Sequence, residues 1–340
     1  MNMGKRIVFT KKDTAEFLDV NLGELGENQV AVKIAVSSIS CGTERALVSG
    51  DANIGILQPE GSPVVFPRIS GYSSAGTVIA VGSNVTEFAV GDRVALSWST
   101  HTDINYIDKK KVCKIEDNVS FSAAALCHIA TFPLAAIRKT KLELGESLMV
   151  MGLGILGLCA VQLARAAGAY PVIAVDPVAE RREKAIAFGA DFALDPTDAD
   201  FVKTVKKLTS GGVNCAVEVT GLGIGLDQTL DCMAQFGRVA LLGCTRNKEF
   251  YIDYYRKVHG PGITMIGAHT NARPKHESSD GWFTEADDMK SVLKMLAGNR
   301  IKLEEMVDAT FDPKDCEAIY TRLINDRNFP PVSQFDWSNY

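Results

Sequence analysis

The 340-residue chain is 46% hydrophobic and 23% charged, ordinary proportions for a globular protein with room for two domains. Its 36 basic and 41 acidic side chains leave a net charge of −5, which gives no basic field to draw in nucleic acid or a membrane surface. The start, MNMGKRIVFTKKD, lacks the apolar core of a signal peptide, and no apolar run approaches the roughly 18 residues of a membrane span. The eight cysteines lie scattered with no C-x-x-C pair, so free thiols in a reducing cytoplasm are expected.

Residues 1–40 predict β-structure. A first strand falls at Lys5–Phe9, and a stronger one at Gln29–Ser40, where Val30, Val32, Ile34 and Val36 alternate. Residues 41–50, CGTERALVSG, predict a polar loop running into a short helix. The Gly- and Pro-rich stretch 51–68 predicts a mobile loop, and further strands follow at Gly71–Val81, Val90–Leu96 and Tyr106–Ile115. Many short strands with closely spaced turns predict a small barrel or sandwich.

At Ser120 the texture changes to a helical composition, FSAAALCHIATFPLAAI, and Ser147–Asp176 then runs strand, turn, helix, strand. Leu148–Met151 is an apolar run of strand length, and Gly152, Gly154 and Gly157 follow in G-x-G-x-x-G spacing. A helix opening with Ile155 and Leu156 is ended by Gly168, and Pro171–Val175 closes on Asp176. In that context the glycines allow a tight turn, a close backbone approach to a pyrophosphate and a helix lying close on its strand. The helix N-terminus then receives the phosphates. Asp176 stands where a carboxylate accepts the adenosine ribose hydroxyls and repels a 2′-phosphate, so NAD is expected over NADP, with Arg181 softening the preference.

The alternation continues through helix Glu180–Phe188, strand Phe192–Leu194, helix Asp200–Leu208, strand Asn214–Val219, helix Leu226–Gln235 and strands Arg238–Gly243 and Ile263–Gly267. Six strands predict an α/β fold with a full doubly wound parallel sheet. Thr220 and Gly221 follow the fourth strand and Gly243 ends the fifth, at the carboxyl edge where a cofactor lies. After a charged amphipathic helix at Thr284–Ala297, the tail shows no nucleotide signals and is assigned back to the β-domain. The expected division is 1–127 with 270–340 for the β-domain and 128–269 for the nucleotide domain.

The chain resembles the medium-chain dehydrogenase/reductase superfamily of zinc alcohol, sorbitol and threonine dehydrogenases over nearly its whole length. The resemblance rests on CGTE at 41–44, GY-x-x-AG at 71–76, GDRV at 91–94, GLGILG at 152–157, the Asp176/Arg181 pair and VTG at 219–221. It implies a GroES-like catalytic domain interrupted by a Rossmann domain, with the active site in the cleft between them and dimers or tetramers as the assembly. It also implies that Thr131 packs on the nicotinamide and that Thr43 is the hydroxyl that relays the substrate's proton. Thr43 as a cap of the following helix is the bland alternative. Glu44 and Arg45 are expected to form a solvated ion pair, with contact to cofactor phosphate as the alternative.

Zinc members hold their catalytic metal with three side chains. Cys41 matches the first and Cys127 falls at or near the third, but the second, the His of G-H-E, is here Tyr72, followed by Ser73. The four cysteines of the structural zinc lobe are also missing, since residues 95–112 contain none. Three readings stand open: no zinc binds and Tyr72 moves the proton directly; Cys41 and Cys127 hold a metal with His101 or His128 as a substitute; or both cysteines are small buried hydrophobes. The first is favoured, so no metal ligand is assigned. The run Thr43–Arg45 with GY-x-x-AG resembles zinc-free members such as bacteriochlorophyllide hydroxyethyl dehydrogenases.

The polar stretch 267–282 brings His269, Asn271 and Arg273 toward a hydroxylated or anionic substrate, with Cys127 and His128 as weaker lining; a plain solvent loop is the alternative. The expected activity is NAD-dependent interconversion of a secondary alcohol, such as a polyol or sugar derivative, and its ketone. A zinc-free reductase of enones or quinones, or a nucleotide-binding sensor with little catalysis, are the alternatives.

Overall fold

Short antiparallel strands and apolar β-α repeats build two separate cores. The computed structural model describes residues 3–51, 62–245, 247 and 249–340, so most of the predicted mobile loop, 52–61, lies outside the described residues. One compact unit comprises Met1–Ile129, Met289–Asn299 and Leu303–Tyr340, and the other Ala130–Asp288 and Arg300–Lys302.

In the first unit, Met3–Lys11 and Thr14–Asn21 form an antiparallel hairpin, with Asp13 at positive φ in the reversal; Arg68–Ile69 adds a third strand. A larger sheet runs in the order Ala309–Phe311, Ser333–Asp336, Gln29–Ile39, Ser73–Val81, Arg93–Ser97, Val112–Lys114, with Ile104–Asp108 also pairing with Gln29–Ile39. The predicted strand Tyr106–Ile115 is thus two. Asp108 caps a 3₁₀ turn, Lys109–Lys111, by accepting the Lys110 N–H, and three adjacent ammonium groups do not extend a ladder there. Val30, Val32, Ile34, Leu96, Phe335 and Trp337 are among the side chains that fill this core. Residues Leu303–Tyr340 belong to this unit.

In the second unit the six strands are all parallel. Their order is Phe192–Leu194, Val172–Val175, Leu148–Met151, Val213–Glu218, Met233–Leu241, Thr264–Gly267. The chain order reverses across the sheet beside Leu148–Met151, the switch point at which open α/β sheets bind ligands. Residues 270–288, assigned from sequence to the β-domain, belong to this unit. The Arg138 guanidinium lies 3.8 Å over the Phe283 ring and bonds Asp288 at 2.9 Å, and the Lys139 ammonium lies 5.0 Å from the Trp282 ring. Among the described residues no helix is long and apolar enough to cross a membrane.

Candidate active site

The nucleotide motif folds as its spacing requires. Strand Leu148–Met151 ends in Gly152, whose φ of +101° is a left-handed conformation that favours glycine. Gly154 is the N-cap of helix Ile155–Ala166 and adds no side chain over the first-turn N–H groups, so Ile155 and Leu156 present bare backbone donors. A Cβ on Gly157 would run into the Gly152 carbonyl oxygen, which is why that helix can lie so close to its strand. Asp176, buried at the end of Val172–Val175, accepts the Leu153 N–H on one carboxylate oxygen and the Val178 N–H on the other, each at 2.9 Å. Arg181 stands 3.5 Å from the same carboxylate.

At the neighbouring strand end, Glu218 accepts the Thr220 N–H at 2.8 Å and the Gly221 N–H at 3.2 Å, and also the Thr220 hydroxyl. Burial, its largest influence, raises its pKa against those hydrogen bonds. Gly243 packs so close to Gly221 that a Cβ there would strike the Gly221 backbone nitrogen. Thr220, Gly221 and Gly243 therefore converge, and Glu218, which sequence reasoning missed, is their organiser. Bare helix-end donors, the left-handed turn and a carboxylate at the second strand end fit a dinucleotide.

In the β-unit, the site grows from the turn before Ser73–Val81. Tyr72 is half-buried, and its hydroxyl donates to Ser40 Oγ at 2.5 Å. Its carbonyl accepts the Trp98 N–H at 2.8 Å and faces His128 Nδ1 at 2.7 Å. Since a carbonyl only accepts, Nδ1 of His128 carries a proton. The Tyr72, Trp98 and His128 rings form a mutual cluster with centroids 4.9–6.0 Å apart. Trp98 holds a φ of +55° and remains 40% exposed, a strained position for an aromatic residue of the kind that gathers at functional sites. Neither Ser40 nor Trp98 was singled out from the sequence. An aromatic directly after the GDRV strand was the available signal for Trp98.

Helix Cys41–Val48 starts at Cys41 itself rather than after a loop. Thr43 lies in its first turn, half-buried, and Ser40 is the N-cap, so Thr43 is not the cap. The expected Glu44–Arg45 surface pair is absent. Glu44 is wholly buried, with His101 Nε2 3.1 Å from both carboxylate oxygens, the Tyr320 hydroxyl at 2.5 Å and the Ser40 N–H at 2.9 Å. Arg45 instead bonds the Leu323 carbonyl at 2.8 Å. Burial pushes the Glu44 pKa up most strongly, but the His101 charge and the three hydrogen bonds outweigh it and hold the carboxyl below its ordinary value.

These donors do not fit a zinc ion. The Cys41 thiol donates to the Pro331 and Pro330 carbonyls at 3.5 and 3.8 Å. Cys127 is wholly buried and donates to the Met289 carbonyl at 3.5 Å; burial first, then Cys113, pushes its thiol well above the ordinary range. His101 is taken up by Glu44 and Ser37, so it does not substitute for the missing imidazole. A phenol and thiols aimed at backbone carbonyls are not the thiolate and imidazole set that zinc takes. No three His, Cys, Asp or Glu side chains converge as a metal site among the described residues.

The stretch around 269–273 turns inward. The Arg273 side chain is only 7% exposed, 3.7 Å from Asp288, and bonds the Thr131 hydroxyl and carbonyl at 3.4 and 3.5 Å. Burial, the main influence, lowers its pKa against the pull of Asp288. Arg273 and Thr131 thus pin this segment to helix Cys127–Lys139, while Thr131 itself is fully buried. His269 Nδ1 accepts the Asn271 N–H at 3.1 Å, and Asn271 is exposed.

Two family models match, one described as an alcohol dehydrogenase GroES-like domain over residues 26–140 and one as a zinc-binding dehydrogenase over 156–285. D-guloside 3-dehydrogenase of Shigella flexneri is 30% identical over 89% of this chain and 91% of its own length. L-threonine 3-dehydrogenase of Pyrococcus abyssi is 30% identical over 86% and 87%. The fold is shared with a short chain alcohol dehydrogenase of Escherichia coli CFT073 solved with NADH, at a TM-score of 0.82 and 17% identity over 99% of this chain and 100% of that one. By its matching domains and these relatives, the chain belongs to the medium-chain, zinc-type alcohol dehydrogenase superfamily of oxidoreductases.

Proposed function

We propose that the chain is an NAD-dependent oxidoreductase that interconverts a secondary alcohol, of the polyol or sugar class, and its ketone, and that Tyr72 rather than a zinc ion moves the alcohol proton. The observation that carries this reading is the Tyr72 hydroxyl, held at 2.5 Å on Ser40 Oγ, at the sequence position that the resemblance matches to the imidazole of zinc members. A bound nicotinamide supplies the hydride acceptor or donor. The protein's share is orientation and proton movement. Gly152 and Gly154 admit the pyrophosphate to the helix N-terminus, and Asp176 receives the adenosine ribose hydroxyls. In ketone reduction the phenol gives its proton to the developing alkoxide oxygen, and in alcohol oxidation the phenolate takes it back.

The relatives that act on D-guloside and L-threonine support a secondary alcohol as substrate. The exposed indole of Trp98 beside Tyr72 offers an apolar face to the C–H bonds of a polyol or sugar. Asp176 supports NAD over NADP and speaks against the NADPH-type enone reductase. Eight thiols suit a reducing cytoplasm, and the resemblance supports a dimer or tetramer, read directly by light scattering.

The test is steady-state oxidation of a methyl D-guloside, L-threonine and other secondary alcohols with NAD, by the wild type and Tyr72→Phe. Turnover by the wild type and a fall in kcat of about 10²- to 10⁴-fold in the variant are expected. A variant as active as the wild type would remove Tyr72 from the chemistry.

A further inference from the structure

We infer that Glu44 is a positioning residue for the Tyr72 proton step: anchored by His101 and Tyr320, it fixes the Ser40 amide and so aims the Ser40 hydroxyl at the Tyr72 phenol. The inference rests on the role of Tyr72 proposed above. A serine at a helix N-cap ordinarily turns its hydroxyl onto the first-turn N–H groups of its own helix. Ser40 caps Cys41–Val48 without any such bond and gives its Oγ to Tyr72 instead. Its backbone N–H is taken by the Glu44 carboxylate at 2.9 Å. In a capping box the acid and the hydroxyl answer each other across the helix end. Here N3 is Thr43, and Glu44, one residue further on, takes the N-cap N–H instead, while the hydroxyl is released for other use.

The network reaches the other end of the Ser40–Tyr72 bond as well. His101, whose Nε2 faces Glu44, donates its backbone N–H to the Ser70 carbonyl at 3.0 Å. Gly71, at a φ of +88°, packs so closely that a Cβ would lie 2.7 Å from the His101 nitrogen. The turn that delivers Tyr72 is therefore built directly on His101. Ser37 Oγ, 2.7 Å from His101 Nδ1, accepts the Trp337 indole N–H at 2.8 Å and holds the ring from behind. A buried carboxylate such as Glu44 is costly unless it is fully hydrogen-bonded, and apolar residues could fill the same space at no such cost. Holding both partners of one short hydrogen bond is what this network does that apolar packing does not.

The test measures kcat and KM for oxidation of a methyl D-guloside or L-threonine with NAD in Glu44→Gln, Tyr320→Phe, Ser40→Ala and the doubles with Ser40→Ala, alongside crystal structures of the single variants. Tyr320→Phe removes one donor to Glu44 and keeps the ring packed edge-on against Phe9, so it remains informative if Glu44→Gln does not fold. Loss of kcat of about ten- to a hundredfold with KM little changed is expected. Added to Ser40→Ala, either change should cost less than about threefold more, because it acts through Ser40. In the crystal structures of Glu44→Gln and Tyr320→Phe, Ser40 Oγ should leave Tyr72 for the N–H groups of its own helix.

Undiminished kcat, losses that multiply fully on Ser40→Ala, or a Ser40–Tyr72 bond left intact would overturn the inference. Tyr72→Phe separates the two claims. If it retains full turnover, the proposed chemistry fails. If it loses turnover while Glu44→Gln and Tyr320→Phe keep it, only the positioning role fails.

Discussion

Asp176 already accepts two backbone N–H groups, yet a carboxylate offers about four acceptor positions, so room for ribose hydroxyls remains. Asp176→Ala removes those charge-assisted bonds and the repulsion of a 2′-phosphate together. NADH binding, followed by fluorescence titration, should weaken by about tenfold or more, while NADPH binding changes less and the gap between them narrows. Wild-type protein that binds NADPH more tightly than NADH would overturn the NAD assignment. The strand–turn–helix geometry around Gly152 and the position of Asp176 were legible because G-x-G-x-x-G and the acid after the second strand are local spacings. Glu44 was misread as a surface residue for the opposite reason. Its partners His101 and Tyr320 lie 57 and 276 residues away in the chain, and no local pattern marks a carboxylate for burial.

Elements that alternate apolar strand and helix were legible for the same reason: Met233–Leu241 begins five residues before the expected Arg238, inside the expected helix Leu226–Gln235, but the other five strands of the parallel sheet were anticipated to within one residue. The strand Thr14–Asn21 was not, because Phe17 and Leu18 sit side by side and blur its alternation. The stretch 267–282 looked like a polar loop, but one of the charges that made it so, Arg273, is buried against Asp288 of the following helix inside the α/β unit. Helix Ile155–Ala166 lies close against the end of strand Leu148–Met151 because Gly157 has no side chain to meet the Gly152 carbonyl. Gly157→Ala should destabilise the protein by about 1–3 kcal/mol, as overpacking does, and weaken NADH binding because the helix N-terminus is pushed outward. Unchanged melting temperature and NADH affinity would show that the helix is not held there.

Across the whole molecule, buried thiols set a limit on the alkaline side. Burial pushes Cys159, Cys232 and Cys316 up to about 12. The folded values lie above the unfolded one of about 8.5, so the contribution is intact below that pH and is lost as pH rises toward 12, by up to about 1.4 kcal/mol per pH unit for the fully buried Cys159 and by less for Cys232 and Cys316. The melting temperature should therefore fall steadily above about pH 8.5, and Cys159→Ala should flatten the slope. A melting temperature independent of pH in that window would contradict this.

The central claim, that a phenol on Ser40 does the work a zinc ion does in other members of the superfamily, is tested most directly by elemental analysis of active protein purified without a metal-affinity tag. Less than about a tenth of a zinc per chain with full turnover is the expected result. Close to one zinc per chain, with activity lost to a chelator and restored by zinc, would contradict it.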